Sequence, residues 1–246
     1  MFRLLKALSL TLALVALSIF AISCSSNAPA NIRFVHAIQD GASMDIQVNG
    51  QTKFTGVSFL GVQPNQPGYT SVPSGSDTIE GFLAGTSTIG FNPTTIGFSA
   101  GANYTVIATG LIAGTQTADI ISLSDNNSAP PAGDVEFRIV HASPSGPPLV
   151  DVYILLSPAT APTGTPAISG LAYTQASKYI SLVYNPNDDT TFPGYQIFVT
   201  APGSLTPIYI SQSTNPADNS IHTLVMTDMQ SGTTMSGSFL ELADLN

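Results

Sequence analysis

One eight-residue stretch, Phe137-Arg138-Ile139-Val140-His141-Ala142-Ser143-Pro144, constrains this chain more than any other, because its core occurs twice. Ile32-Arg33-Phe34-Val35-His36-Ala37 is the same hexad 105 residues earlier, with its two large apolar residues exchanged. An apolar-Asp-apolar step follows each copy, Met44-Asp45-Ile46 in the first and Val150-Asp151-Val152 in the second. A chain built this way is expected to fold as two related units. The recurrence continues to the end, where Leu240-Glu241-Leu242-Ala243-Asp244 copies Ile121-Ser122-Leu123-Ser124-Asp125.

The units read as β-structure. Asn31 to Ala37 makes a first strand, and Met44-Asp45-Ile46-Gln47-Val48 alternates apolar and polar side chains. Asn49-Gly50 then predicts a type I′ hairpin turn, with the return strand under way by Lys53-Phe54. Further strands are expected at Tyr69–Val72, Thr78–Phe82, Tyr104–Ala108 and Asp119–Leu123, with turns at Pro64, Pro67 and Pro73-Ser74-Gly75. No helical period appears past the N-terminal segment. Seven or eight short strands with regular turn signals predict an all-β protein, two tandem immunoglobulin-like antiparallel β-sandwich domains. The first is placed at residues 32–125 and the second at 135–246, with a polar, Pro-stiffened linker at 126–134.

Residues 1–23 read as a signal. Arg3 and Lys6 precede an apolar run from Ala7 to Ile22, and Ala21-Ile22-Ser23 leads into Cys24, the only cysteine. The run is short for a membrane span. The segment resembles a bacterial lipoprotein signal, which implies acylation of Cys24 and a membrane anchor through that residue. Residues 24–31 would be a short tether. Ser25 after the cysteine, rather than Asp, points to the outer membrane, so the expected address is the cell envelope. Acylation also accounts for a lone cysteine in an exported chain.

Beyond the signal, Arg33, Lys53, Arg138 and Lys178 stand against 15 acids, a net charge of −11. Nucleic acid, whose phosphates need clustered Lys and Arg, is excluded as a partner.

His36 with Asp45, and His141 with Asp151, are the recurring polar pairs. An imidazole oriented by a carboxylate is the pair that a hydrolytic site would use, but the chain has no Gly-x-Ser-x-Gly elbow. The expectation is structural: each imidazole is half-buried and bonds a carboxylate or a loop carbonyl, contributing about 1.5–3 kcal/mol. Arg33 and Arg138 fall on the strand face opposite their histidines, where a rim arginine capping carbonyls or pairing with an acid is expected. No catalytic residue is assigned. No zinc spacing occurs, and the oxygen-rich Asn185-Pro186-Asn187-Asp188-Asp189 reads as a solvated turn rather than a calcium loop. Neither a metal nor another cofactor is expected.

The repeat resembles the bacterial family catalogued as domain of unknown function 4397. Arg138-Ile139-Val140-His141-Ala142-Ser143-Pro144 and Val150-Asp151-Val152-Tyr153 carry the likeness in the second copy. The first keeps Arg33, His36, Ala37 and Asp45 but has Ile38-Gln39 in place of Ser-Pro; Val72-Pro73-Ser74-Gly75 and Ala100–Val106 follow the family's later turn and penultimate strand. The resemblance implies an extracytoplasmic β-sandwich and carries no activity. The function expected is a non-enzymatic, lipid-anchored envelope protein that binds, adheres or spaces, through loops such as 157–166 and 185–192 or through exposed strand edges. A carbohydrate-binding module on exopolysaccharide or cell wall is the alternative, and an envelope hydrolase the third. The expected partners are an envelope protein or glycan.

Overall fold

The computed structural model describes residues 28–113, 117–185, 193–231 and 234–245, with side chains described outside 229–237. The signal with Cys24, and most of the oxygen-rich turn at 185–189, lie outside the described residues.

The first half holds β1 (Ala30–His36), β2 (Met44–Val48), β3 (Gln51–Val57), β4 (Val62–Gln63), β5 (Thr70–Val72), β6 (Gly75–Leu83), β7 (Ile89–Phe98), β8 (Asn103–Thr109) and β9 (Asp119–Ser124). One sheet runs β4-β1-β8-β9, with β5 also on β1, and the other runs β3-β2-β6-β7. The second half holds β10 (Asp134–His141), β11 (Leu149–Leu156), β12 (Ile168–Ala172), β13 (Ile180–Val183), β14 (Tyr195–Thr200), β15 (Pro207–Ile210), β16 (Ile221–Ser231) and β17 (Thr234–Leu245). Its sheets, β13-β10-β16-β17 and β12-β11-β14-β15, repeat the same orders. The fold is all-β, of immunoglobulin-like sandwiches.

The Asn49-Gly50 turn forms as expected. Both residues have positive φ, 51° and 74°, and Val48 pairs with Gln51. Several details differ from the sequence reading. The expected tether ends early, because Ala30 and Asn31 already pair with Val72 and Ser71. Pairing is not purely antiparallel: β1 runs parallel to β8, and β10 parallel to β16, over six residue pairs each. Strand β7 was not expected, since Gly90, Pro93 and Gly97 interrupt its pattern. It is an edge strand, where a missing N–H can face away from the sheet.

Alternation along the central strands explains the layering. Ile32 and Phe34 of β1, with Val106 and Ala108 of β8, enter the core of the first sandwich. Phe137 and Ile139 of β10, with Leu224 and Met226 of β16, enter the second. The intervening residues do not face solvent. Val35, Ala37, Ile107 and Ile121 pack on Val140, Ala142, Val225 and Leu242 in a third buried layer between the halves. Four sheets are therefore stacked around three apolar layers. The central strands are buried on both faces, which is why their sequences are apolar runs rather than alternations.

Within the first core, Gly81 lies beneath the ring of Phe91, and a Cβ built there falls 2.1 Å from a ring carbon. Overpacking of this kind costs about 1–3 kcal/mol. Gly81→Ala is expected to lower the melting temperature, and Gly81→Ala/Phe91→Leu to recover part of the loss, as read by thermal denaturation.

Candidate functional site

The densest polar constellation sits inside the interface between the two halves. Each arginine of the repeated hexad points out of its own sandwich and reaches the terminal aspartate of the other half. Arg33 from β1 pairs with Asp244 through Nη2, while its Nη1 donates to the Ala243 carbonyl at 2.7 Å. Arg138 from β10 pairs with Asp125 through Nη2 at 2.6 Å, while its Nη1 donates to the Ser124 carbonyl at 2.9 Å. The remaining cross-contacts, Arg33–Asp125 at 3.6 Å and Arg138–Asp244 at 3.5 Å, close a ring of four charges.

Each half supports its own members in the same way. Arg33 Nε donates to Thr105 Oγ1 at 2.7 Å, and that hydroxyl donates to Asp125 at 2.6 Å. Arg138 Nε donates to Thr223 Oγ1 at 2.9 Å, and that hydroxyl donates to Asp244 at 2.6 Å. Tyr69 donates to Asp125 at 2.9 Å and Tyr179 to Asp244 at 2.7 Å. The guanidinium carbons lie 5.3 and 4.6 Å from the centres of these tyrosine rings. Burial, then the neighbouring carboxylate, pushes both tyrosine hydroxyls well above their ordinary range. Burial works against the charge on Arg33, but Asp244 and Asp125 outweigh it and raise its pKa.

These arginines are thus not rim residues. Arg33 is fully buried and Arg138 is 3% exposed, at the centre of the molecule. Nor is the start of the connecting segment a free linker. Asn127 donates to the Asp244 carbonyl at 2.6 Å and accepts from Asn103 at 2.9 Å, and the Asn126 N–H donates to Tyr179.

The expected His–Asp pairs do not meet. Both imidazoles are fully buried rather than half-buried. In His36, Nε2 bonds the Ala42 carbonyl at 3.0 Å and Nδ1 accepts from the Ile38 N–H at 3.2 Å. His141 repeats this with the Pro147 carbonyl at 2.8 Å and the Ser143 N–H at 3.4 Å. Both rings are therefore neutral, with the proton on Nε2. Asp45 instead accepts from the N–H groups of Gly56 and Gly85 at 2.7 and 2.9 Å, and those bonds lower its pKa. Asp151 accepts from Gly170 and Gly203, both at 2.8 Å. The histidines hold the turn after the first strand, and the aspartates tie two glycine loops across the outer sheet. A base poised beside a nucleophile is not formed by either pair.

The halves part company beyond His141. Ser143 of the second half bonds buried Asp228, which also accepts from the Ser145 N–H at 2.9 Å. The corresponding positions of the first half, Ile38 and Gly110, carry no such pair. Among the described residues, no cluster of three His, Cys, Asp or Glu side chains is placed to hold a metal ion.

With this geometry in view, the chain can be compared with known proteins. Residues 30–153 match the family described as Domain of unknown function (DUF4397), just over half of the chain. The chain belongs to that family. The DUF4397 match covers the first sandwich, the connecting segment, β10 and the first part of β11, so it contains the arginine and the histidine of both hexads. Solved structures also match, among them the Bacillus anthracis TIE protein, at 11% identity and a TM-score of 0.23. That alignment covers 86% of this chain and 34% of the other, so the chain spans about a third of that protein's length. No curated protein matches.

Removing one partner from a buried, bonded charge pair costs about 3–5 kcal/mol, whereas replacing the whole pair with apolar groups is often near neutral. Arg33→Met and Asp244→Leu are each expected to lower the melting temperature steeply, and the double variant to lose less than their sum. Additive losses in a double-mutant cycle would rule out the coupling.

Burial lowers the pKa of His36 and His141 below 6.5, against the opposing pull of their carbonyl partners. The unfolded chain therefore takes up these protons first. Stability is complete above about pH 6.5 and declines as pH falls below it. A variant with both histidines changed to Gln is expected to start less stable and to show a flatter dependence between pH 7.5 and 5.5; parallel curves would exclude a histidine contribution.

Proposed function

We propose that this chain is a non-enzymatic, lipid-anchored envelope protein, acylated at Cys24. Its two halves are two copies of the DUF4397 domain that serve as one rigid binding or spacer module close to the membrane. The observation that carries this reading is the use made of the recurring polar residues. Arg33, Arg138, Asp125 and Asp244 join the halves, and His36, His141, Asp45 and Asp151 hold turns, so the repeated chemistry is spent on shape. The second copy is supported by identical sheet orders and by equivalent Arg, Thr, Tyr and Asp positions in both halves. The lipobox-like Ala21-Ile22-Ser23-Cys24 supports the anchor, and Ser25 supports the outer membrane. With so few residues between Cys24 and β1, the first sandwich would sit against the bilayer.

Two measurements test the parts separately. Metabolic labelling with an alkyne fatty acid is expected to mark the wild type in the membrane fraction and to miss Cys24→Ala; equal labelling of both would remove the anchor. For rigidity, spin labels at exposed Thr52 and Thr165, one in each half, are expected to give a single narrow distance distribution. A broad distribution would mean that the halves move independently and would overturn the one-body reading.

A further inference from the structure

Besides the Ser143–Asp228 pair, the internal two-fold relation between the halves is broken beside the interface, and that break exposes a strand edge. In each half, the residue after the turn bonds the repeated strand in the same way: Val62 opposite Val35, and Ala176 opposite Val140. From there to the interface tyrosine the two chains differ in length. Residues 64–68 separate Gln63 from Tyr69, whereas Lys178 alone separates Ser177 from Tyr179. The longer loop of the first half carries Gln66. Its side-chain amide donates to the Glu241 carbonyl at 3.3 Å and accepts from the Ala243 N–H at 2.5 Å. Two bonds to positions two residues apart are what one residue of an added parallel strand makes. Gln66 thus covers the outer edge of β17 with a stand-in for a strand.

The matching edge belongs to β9, where Ser122 and Ser124 correspond to Glu241 and Ala243. The pairs Val106–Ser122 and Leu224–Glu241 hold equivalent places in the two ladders, as do Tyr104–Ser124 and His222–Ala243. The Asp125 N–H donates inward to the Asn103 carbonyl, so the carbonyl of Ser122 and the N–H of Ser124 point away from β8. The short connection through Lys178 has no counterpart of Gln66, and although Gln175 lines this edge, among the described residues no side chain bonds the Ser122 carbonyl or the Ser124 N–H. Instead there is an open groove of about 540 Å³, lined by Ser122, Ser124, Ala176, Ser177, Arg138 and Tyr179. It is continuous with the interdomain interface, since Arg138 and Tyr179 belong to both. Arg138, at its floor, retains slight exposure where Arg33 has none.

We propose that this edge of β9 is a docking site for an extended polypeptide segment of a partner protein. The segment presents a glutamine carboxamide, or its own backbone amide, to the Ser122 carbonyl and the Ser124 N–H. The occupant is assigned from the covered side of the same molecule, where the side-chain carboxamide of Gln66, carried on an irregular segment of chain, already fills the equivalent position. Strand addition of this kind draws its affinity from main-chain hydrogen bonds. The inference does not depend on the anchor or on the envelope location.

The test is a titration of the ¹⁵N-labelled full chain with acetyl-Pro-Asn-Gln-Pro-amide, the sequence of residues 64–67. Saturable shifts are expected at the Ser122, Ser124 and Ser177 amides, with a dissociation constant on the order of millimolar. The same peptide with Glu in place of Gln is expected to bind at least roughly tenfold more weakly, having lost the donor to Ser122, about 1.4 kcal/mol or more. Ser124→Pro removes the outward N–H at a position the β8 ladder does not use, and is expected to abolish the shifts. Insertion of Pro-Asn-Gln-Pro between Ser177 and Lys178, which sets the glutamine three residues from Ser177 and from Tyr179 as Gln66 is from Gln63 and Tyr69, is expected to do the same by supplying the missing cover in cis. Absence of shifts at these amides up to the solubility limit would overturn the site. Shifts produced there by N-acetylated chito-oligosaccharide but not by the peptide would overturn the polypeptide assignment.

Discussion

Each half of this molecule is finished by an arginine from the other. Arg33 and Arg138 are carried on the central strands of their own sheets, yet their charge is answered by aspartates at the far end of the opposite repeat. Two guanidinium groups and two carboxylates, all buried, would be intolerable singly. Together with Thr105, Thr223, Tyr69 and Tyr179, every nitrogen of the two guanidinium groups finds an acceptor, and the two cations are matched by two carboxylates. Because such a network must be completed or avoided altogether, it permits one relative placement of the sandwiches.

The apolar layer around the network supplies attraction without direction, and the network supplies direction. Val35, Ile107 and Ile121 would be satisfied by many sliding arrangements against Val140, Val225 and Leu242. The charge ring would not. With the faces of the inner sheets buried against each other, the sheet edges and end loops are what each half leaves exposed.

Much of the fold was legible from the sequence, and the reasons are local. The Asn49-Gly50 turn announces its own geometry, and the repeated hexad marks the start of each unit. Strand β7 was hidden because an edge position tolerates Gly90, Pro93 and Gly97, which in a central strand would be disqualifying. The interface was hidden for a different reason. The hexad shows which residues alternate, but not that its second face is also covered. Ile32-Arg33-Phe34-Val35 is apolar on both sides apart from one arginine, and that pattern is the trace the buried interface left. Asp125 and Asp244 were visible as a shared ending, and two of the four basic residues beyond the signal occupy equivalent places. Joining these observations requires knowing that the strands meet across 211 residues of chain. Of the two partners expected for each imidazole, the loop carbonyl is the one found, and the carboxylate is not, because nearness along the strand order does not bring two side chains together. His36 and Asp45 serve opposite sheets of one sandwich, each bonding backbone close by.

The parallel contact between β1 and β8 has a mechanical meaning. β1 is the first strand and lies in the middle of its sheet, hydrogen-bonded on both sides and clamped by Arg33 to the far half. A pull on the chain at Ala30 is directed along that strand. The bonds of the β1–β8 ladder are then loaded in shear, all together, rather than peeled one after another from an edge. Traction applied at Ala30 would have to slide a central strand past its neighbours and break the ion network in the same event, so under load this strand would be the last part of the first sandwich to yield.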